Sequence, residues 1–222
     1  MLTKPFVKYM ILARHTGHRY KSCIIKPMKV PLRYQATESD CGTTSLINAI
    51  SYVFDREEIP AKLIHAATTY TLDNFSKKGG ENEGGTSIFS LELLQHWITQ
   101  FSDFEKFPIK VKLFEKEGAI LQLDKANKLF SKKGCILASV WFMHDAHYVV
   151  ITNIDKNFAY IFDPYFVEPK YFSKSKNIKI IKNMPFSYNR RVRLSQLFLD
   201  NKKDYSLIKN NEYQELMIIE RK

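Results

Sequence analysis

Three apolar runs that follow one another between residues 135 and 163 constrain the fold more than any other feature of the sequence. The runs 135–143, 147–154 and 157–163 are rich in β-branched and aromatic residues, which favour strands. Only a few residues separate one run from the next, and connections this short join antiparallel strands. Since the second strand begins at His147 and the third ends at Asp163, antiparallel pairing predicts that these two residues are neighbours.

Helical spacing of apolar residues dominates the first half of the chain. It predicts helices over 41–54, 60–70 and 87–101, and a fourth over 119–130 that ends at a Lys-Lys-Gly sequence. Further strands are predicted at 109–114, 178–181 and 215–219, with a short helix at 194–200. Helices first and an antiparallel sheet afterwards give an α+β fold class.

The 222 residues are most simply one domain. We expect a basic N-terminal arm over 1–33, a helical half over about 34–104 and a mainly β half over about 105–222. The hydrophobic content of 45% is that of a globular protein, and no apolar run approaches the roughly 20 residues of a transmembrane helix. The apolar patch at 9–13 is too short for a signal peptide, so a cytoplasmic location is predicted.

The segment 34–46 combines residue types that suit thiol chemistry. Cys41 opens the first predicted helix, and the positive end of a helix dipole favours a thiolate. Gln35, six residues earlier, could donate an amide hydrogen bond to a developing oxyanion. Asp40 is predicted to cap the helix by accepting from its first N–H groups. The segment suggests a nucleophilic cysteine, although a lone cysteine at a helix start is commonly a small buried hydrophobe.

A catalytic cysteine needs a histidine to take its proton, and that histidine needs an acceptor that orients its ring. Of the six histidines, His147 is the preferred base because it begins a buried strand beside Asp163. Pro164 cannot donate to the ladder, so the strand is expected to stop there. His144, in the predicted loop between two strands, is the competing base. The remaining histidines are expected on helix faces or in the arm: His15, His18, His65 and His96.

Four short motifs occur in a fixed order: Gln-x5-Cys-Gly at 35–42, Gly-Thr-Ser at 85–87, His-Tyr-Val-Val-Ile at 147–151 and Phe-Asp-Pro at 162–164. Together they resemble the C39 and C39-like cysteine peptidases, a branch of the papain-like fold, over roughly residues 30–165. The resemblance implies an active-site cleft between a helical and a β half. It implies that Cys41 is the nucleophile and that His147 is the general base and acid. It also implies that Asp163 is the orienting carboxylate and Gln35 the oxyanion donor.

The best-known members of this family are domains fused to exporters, and they cleave leader peptides after a Gly-Gly pair. Since no transporter follows in this sequence, we expect a stand-alone peptidase, with Gly-Gly cleavage as one specificity and a separate exporter as a possible partner. No metal or organic cofactor is expected. The same acyl-enzyme with an amine as acceptor would make an acyltransferase, a peptide ligase or a cyclase. The non-enzymatic alternative is a leader-peptide binding module.

The net charge of +11 comes from scattered lysines without a nucleic-acid-binding motif, so nucleic acid is not an expected partner. The charge reflects either a general surface bias or attraction of an acidic leader peptide. Three widely spaced cysteines argue against a zinc site and against a disulfide framework. The two Gly-Gly pairs between 77 and 85 predict either a mobile loop or the edge of a cleft.

Overall fold

The computed structural model describes residues 28–73, 85–115, 126–207 and 215–222. Several predicted features fall outside these ranges. They are most of the basic arm, the first part of the helix at 119–130, and the Gly-Gly loop except Gly85. His15, His18 and Cys23 also lie outside the described residues.

Three helices carry the first half of the described chain: α1 at Cys41–Val53, α2 at Ala61–Tyr70 and α3 at Ile88–Glu105. All three lie where the apolar spacing predicts them, and α3 continues a turn beyond its predicted end at 101. A single 3-10 turn, Arg56–Glu58, follows α1. Two short helices come later, α4 at Ala126–Ser131 and α5 at Leu194–Leu197.

The strands of the described chain are β1 at Ile109–Glu115, β2 at Cys135–Phe142, β3 at Asp145–Ile154, β4 at Phe158–Phe162, β5 at Ile178–Ile180, β6 at Arg190–Arg193 and β7 at Glu215–Arg221. They form one antiparallel sheet in the order β1-β7-β2-β3-β4-β6-β5. Six of them correspond to predicted strands. The sequence does not predict β6, because three arginines in four residues suggest an exposed loop.

The sheet buries a core on each face, because successive residues of a strand point to opposite sides. On one face, Val150 and Leu137 pack with the helices through residues such as Leu46. On the other face, Val149 and Ile161 belong to a second core. The predicted class, helices followed by an antiparallel sheet, is therefore confirmed. The papain-like arrangement, with a cleft between two halves, remains a prediction.

Two connections depend on residues in the left-handed backbone region. The turn between β2 and β3 consists of Met143 and His144, with φ of 47° and 76°, and turns of this kind match the twist of a hairpin. The turn after α4 places Lys133, not Gly134, in that region, with φ of 60°. Gly134 is needed for space instead, since a Cβ there would press on the side chain of Leu129.

The segment 28–33, at the end of the predicted arm, fastens the chain to α1 before the site begins. The ammonium of Lys29 donates to the carbonyls of Tyr52 and Phe54, at 3.0 and 2.6 Å, and so places a positive charge at the helix C-terminus. Leu32 is buried, and its N–H donates to the Pro185 carbonyl at 2.8 Å. These contacts fix where Gln35 enters the site.

Candidate active site

The cysteine of the first motif lies at the first residue of α1 and is 9% exposed. One turn later, the Ser45 hydroxyl donates to the carbonyl of Tyr148 at 2.8 Å, which ties the start of α1 to the start of β3. The next residue, Gly42, packs directly against the side chain of Thr86, from the Gly-Thr-Ser motif. The helix end that carries the thiol is thus held on two sides.

The aspartate before the thiol organises the preceding loop and does not cap the first N–H groups of α1. Its carboxylate accepts from the backbone N–H groups of Ala36 and Thr37, at 3.1 and 2.8 Å, and makes no side-chain cap of α1. The predicted capping role of Asp40 is therefore wrong. Although partial burial raises the pKa of the Asp40 carboxyl, these hydrogen bonds outweigh it and hold the pKa below its ordinary value.

The side chain of Gln35 is engaged within its own loop. Its amide nitrogen donates to the carbonyl of Thr37 at 2.7 Å, while its amide oxygen is buried without a hydrogen-bond partner. Its backbone N–H donates to the carbonyl of Pro164 at 2.9 Å, which joins the loop to the residue after Asp163. The structure thus places Gln35 beside Pro164, with one of its two amide N–H groups donated to Thr37 and the second left as a donor.

The predicted neighbours His147 and Asp163 are in direct contact. The His147 Nε2 atom lies 2.8 Å from Oδ1 of Asp163, and the two side chains are 8% and 0% exposed. His147 is the third residue of β3, two residues further into the strand than predicted, and Asp163 follows the last residue of β4. Because Nε2 is occupied, Nδ1 is the ring nitrogen left for another partner.

The protonation of His147 is strongly biased toward the imidazolium. Burial of the ring acts to lower its pKa, but the charge and hydrogen bond of Asp163, together with a hydrogen bond to Cys41, raise the pKa of His147 to about 10. The Cys41 thiol is therefore within hydrogen-bonding reach of this ring. The arrangement suits a charged imidazolium held between a carboxylate and a sulfur.

Several groups fix the carboxylate of Asp163. Asn189 brackets its backbone, accepting from the Asp163 N–H at 2.8 Å and donating to the Asp163 carbonyl at 2.7 Å. The Tyr165 N–H donates to Oδ1 at 2.7 Å, and the Tyr205 hydroxyl donates to Oδ2 at 2.5 Å. Burial alone would raise the pKa of Asp163, but His147, Arg190 and these donors hold it below its ordinary value.

Arg190, Tyr205 and Asn189 are the contributors that sequence reasoning missed. Arg190 is 1% exposed, and its Nε donates to the Tyr205 hydroxyl at 2.9 Å. The sequence shows it only as part of an arginine-rich tetrad, and it shows Tyr205 as one of twelve tyrosines. No sequence motif marks any of the three, so only their positions in the folded structure show that they belong to the site.

The remaining candidate residues are placed apart from this pair. His144 is exposed in the turn before β3, and His65 and His96 are exposed on α2 and α3. Cys135 is fully buried in β2, and burial raises its pKa far above the ordinary thiol value. Within the described ranges, no group of His, Cys, Asp or Glu side chains is arranged to hold a metal ion.

A cavity of about 450 Å³ lies away from these residues. Its lining includes Tyr52 at the far end of α1, with Asn153 and Tyr188. Its size does not make it the site, because none of the chemically suited side chains faces it.

In the part of the chain that the structure describes, no helix has the length and apolar character needed to cross a membrane.

No family model matches the sequence, and no curated protein matches it. Among solved structures, the chain is similar to a Bacillus anthracis protein whose assignment as a C39-like peptidase is provisional. The two share 14% sequence identity with a TM-score of 0.46, over 86% of this chain and 95% of the other. At this identity the roles of individual residues have to be inferred from the site itself.

Proposed function

We propose that the protein is a cysteine peptidase in which Cys41 is the nucleophile, His147 the general base and acid, and Asp163 the residue that orients the imidazole. The contact that carries the proposal is the buried bond between His147 Nε2 and Asp163 Oδ1 at 2.8 Å. It fixes the ring with Nδ1 free for the Cys41 thiol. A histidine that only filled the core would not need a buried carboxylate and a neighbouring thiol together.

The proposed reaction forms and breaks one bond in each of two steps. The Cys41 sulfur adds to a peptide carbonyl, the C–N bond breaks as His147 gives its proton to the leaving amine, and a thioester remains. Water then adds to the thioester carbonyl while His147 takes its proton, and the C–S bond breaks as the carboxylic acid leaves, which regenerates the Cys41 thiolate and the His147 imidazolium. The first N–H groups of α1, which have no intrahelical acceptor, would bind the oxyanion together with the second amide N–H of Gln35.

The substrate that the family resemblance suggests is a leader peptide cut after Gly-Gly. A direct test incubates the protein with peptides of this kind in water labelled with heavy oxygen, beside matched peptides with Ala-Leu at the same place. Hydrolysis puts the label into the new carboxyl terminus. A product joined to an added amine instead of water would identify acyl transfer, and binding without any product would identify a binding module.

Substitutions test which residues take part in the proposed reaction. Cys41→Ala should abolish product formation, and His147→Ala should lower kcat/KM by about 10²–10⁴, the usual contribution of a general acid and base. His144→Asn is the matched control, because His144 is exposed in the adjacent turn and Asn tolerates its positive φ. Unchanged cleavage in Cys41→Ala, or a greater loss in His144→Asn than in His147→Ala, would reject the assignment.

A further inference from the structure

A buried polar chain continues from Asp163 away from the thiol, and the reaction itself does not use it. The Tyr205 hydroxyl donates to Oδ2 of Asp163 at 2.5 Å and accepts from Nε of Arg190 at 2.9 Å. The other nitrogens of Arg190 donate to the carbonyls of Asn189 and Tyr165, at 3.1 and 2.9 Å. Arginine is almost never fully buried without a partner, so a guanidinium that is 1% exposed requires a counter-charge.

We propose that Arg190 and Tyr205 are positioning residues that keep Asp163 ionised and thereby stabilise a Cys41 thiolate beside the His147 imidazolium. The inference rests on the proposed function and adds two residues to it. With Arg190 present, the charges of Arg190, Asp163, His147 and a Cys41 thiolate cancel. Without Arg190, formation of the thiolate leaves one buried negative charge uncompensated, and uptake of a proton would remove it.

The backbone at Tyr205 supports a positioning role. Its φ is 62°, a left-handed conformation that a bulky residue rarely adopts, and such conformations persist where the surroundings determine them. The Tyr205 N–H donates to the Trp141 carbonyl at 2.7 Å, and the Trp141 N–H donates to the carbonyl of Ser206 at 2.8 Å. The Tyr205 ring also packs against Phe142 and Phe172. These contacts aim its hydroxyl at Asp163.

The charged and titratable groups around Asp163 come from several elements. His147 faces it from β3, Arg190 from β6, and Tyr205 from the segment after α5. Tyr165 lies in the loop after β4 and interacts with Glu38, while Tyr34 faces Arg190. Cys41 reaches the cluster through His147. Among the described residues, His147 and Arg190 are the cations with the largest effect on Asp163, and of these Arg190 takes no part in the proton transfers.

The test follows the alkylation rate of Cys41 by iodoacetamide as a function of pH, with peptide mapping to identify the modified cysteine. It needs no substrate. The midpoint of the rate in the parent protein is the reference. In Arg190→Met the midpoint should rise above it, since formation of the thiolate then leaves a buried negative charge uncompensated. Arg190→Lys, which keeps the charge, should recover most of the shift.

Two further variants separate this effect from a loss of folding. Tyr205→Phe removes only one hydroxyl and should raise the midpoint in the same direction. Arg193→Met is the matched control, because Arg193 is exposed on the same strand and its charge is not among those that act on Asp163. An unchanged midpoint in folded Tyr205→Phe, or an equal shift in Arg193→Met, overturns the inference. A parent protein in which iodoacetamide does not modify Cys41 at any pH rejects the proposed function instead.

Discussion

Substituting Gly42 by alanine should destabilise the protein although alanine is the better helix former. A Cβ at this position would lie 2.6 Å from Cβ of Thr86, and closer still to its hydroxyl. Thr86 is not free to withdraw, because that hydroxyl donates to the carbonyl of Thr71 at 2.6 Å. Overpacking costs about 1–3 kcal/mol, and the loss of one hydrogen bond costs about 1 kcal/mol. The gain in helix propensity offsets about 1 kcal/mol, which leaves about 1–3 kcal/mol of destabilisation.

The free energy of unfolding, measured by urea denaturation, tests this value. The control is Thr86→Gly, which removes the clashing atoms, alone and combined with Gly42→Ala. If the clash is the cause, the double variant should be more stable than the two single effects predict, by about 1 kcal/mol or more. A Gly42→Ala protein as stable as the parent, or two effects that simply add, would refute the reasoning.

The same substitution should also affect the thiol. Gly42 follows Cys41 directly, so a displaced backbone moves the sulfur away from His147. Misplacement by about 1 Å can cost 10²-fold in rate, and we expect a substantial loss of kcat/KM that Thr86→Gly partly restores.

Three other substitutions test separate contacts. Lys29→Met removes the cation at the end of α1 and should cost about 1.5–3 kcal/mol in urea, whereas the exposed Lys62→Met should cost almost nothing. His147→Gln should be less stable than the parent below pH 6.5, and the difference in free energy of unfolding between the two should shrink as the pH rises. The raised pKa of His147 stabilises the parent fully below pH 6.5, and this stabilisation is lost as the pH approaches 10. A difference that widens with pH would contradict that sign. Asp40→Ala should lose about 1–3 kcal/mol and slow the alkylation of Cys41, since it frees the N–H groups of Ala36 and Thr37.

The contact between His147 and Asp163 could be predicted from sequence because strand order brings the start of β3 close to the end of β4, although the observed register makes the two residues diagonal neighbours rather than direct partners. Two strands joined by a short turn must run antiparallel, and this places the start of one beside the end of the other. The apolar spacing of α1 likewise fixes the end of the helix that carries Cys41. Predictions of this kind use local pattern and need no knowledge of distant packing.

The residues around His147 and Asp163 could not be predicted, because their positions depend on packing between distant parts of the chain. Arg190 is buried because two residues far along the chain, Tyr165 and Tyr205, offer it oxygen atoms. An arginine is exposed by default, and only the assembled fold shows where it has partners. The direction in which the Asp40 carboxylate turns depends similarly on the shape of the loop before it, which the sequence leaves open.

The thiol and its proposed base belong to different parts of the chain, yet several hydrogen bonds of the described residues fasten these parts together. The Gln35 N–H donates to the Pro164 carbonyl, and the Ser45 hydroxyl donates to the Tyr148 carbonyl. Another link runs through Leu32, whose N–H donates to the Pro185 carbonyl in the loop before β6. Opening the region between α1 and the sheet would break such bonds and expose the buried Ser45 hydroxyl and its acceptor. We therefore expect the geometry of Cys41 and His147 to exist before any substrate arrives, so that binding does not have to close one half of the protein on the other.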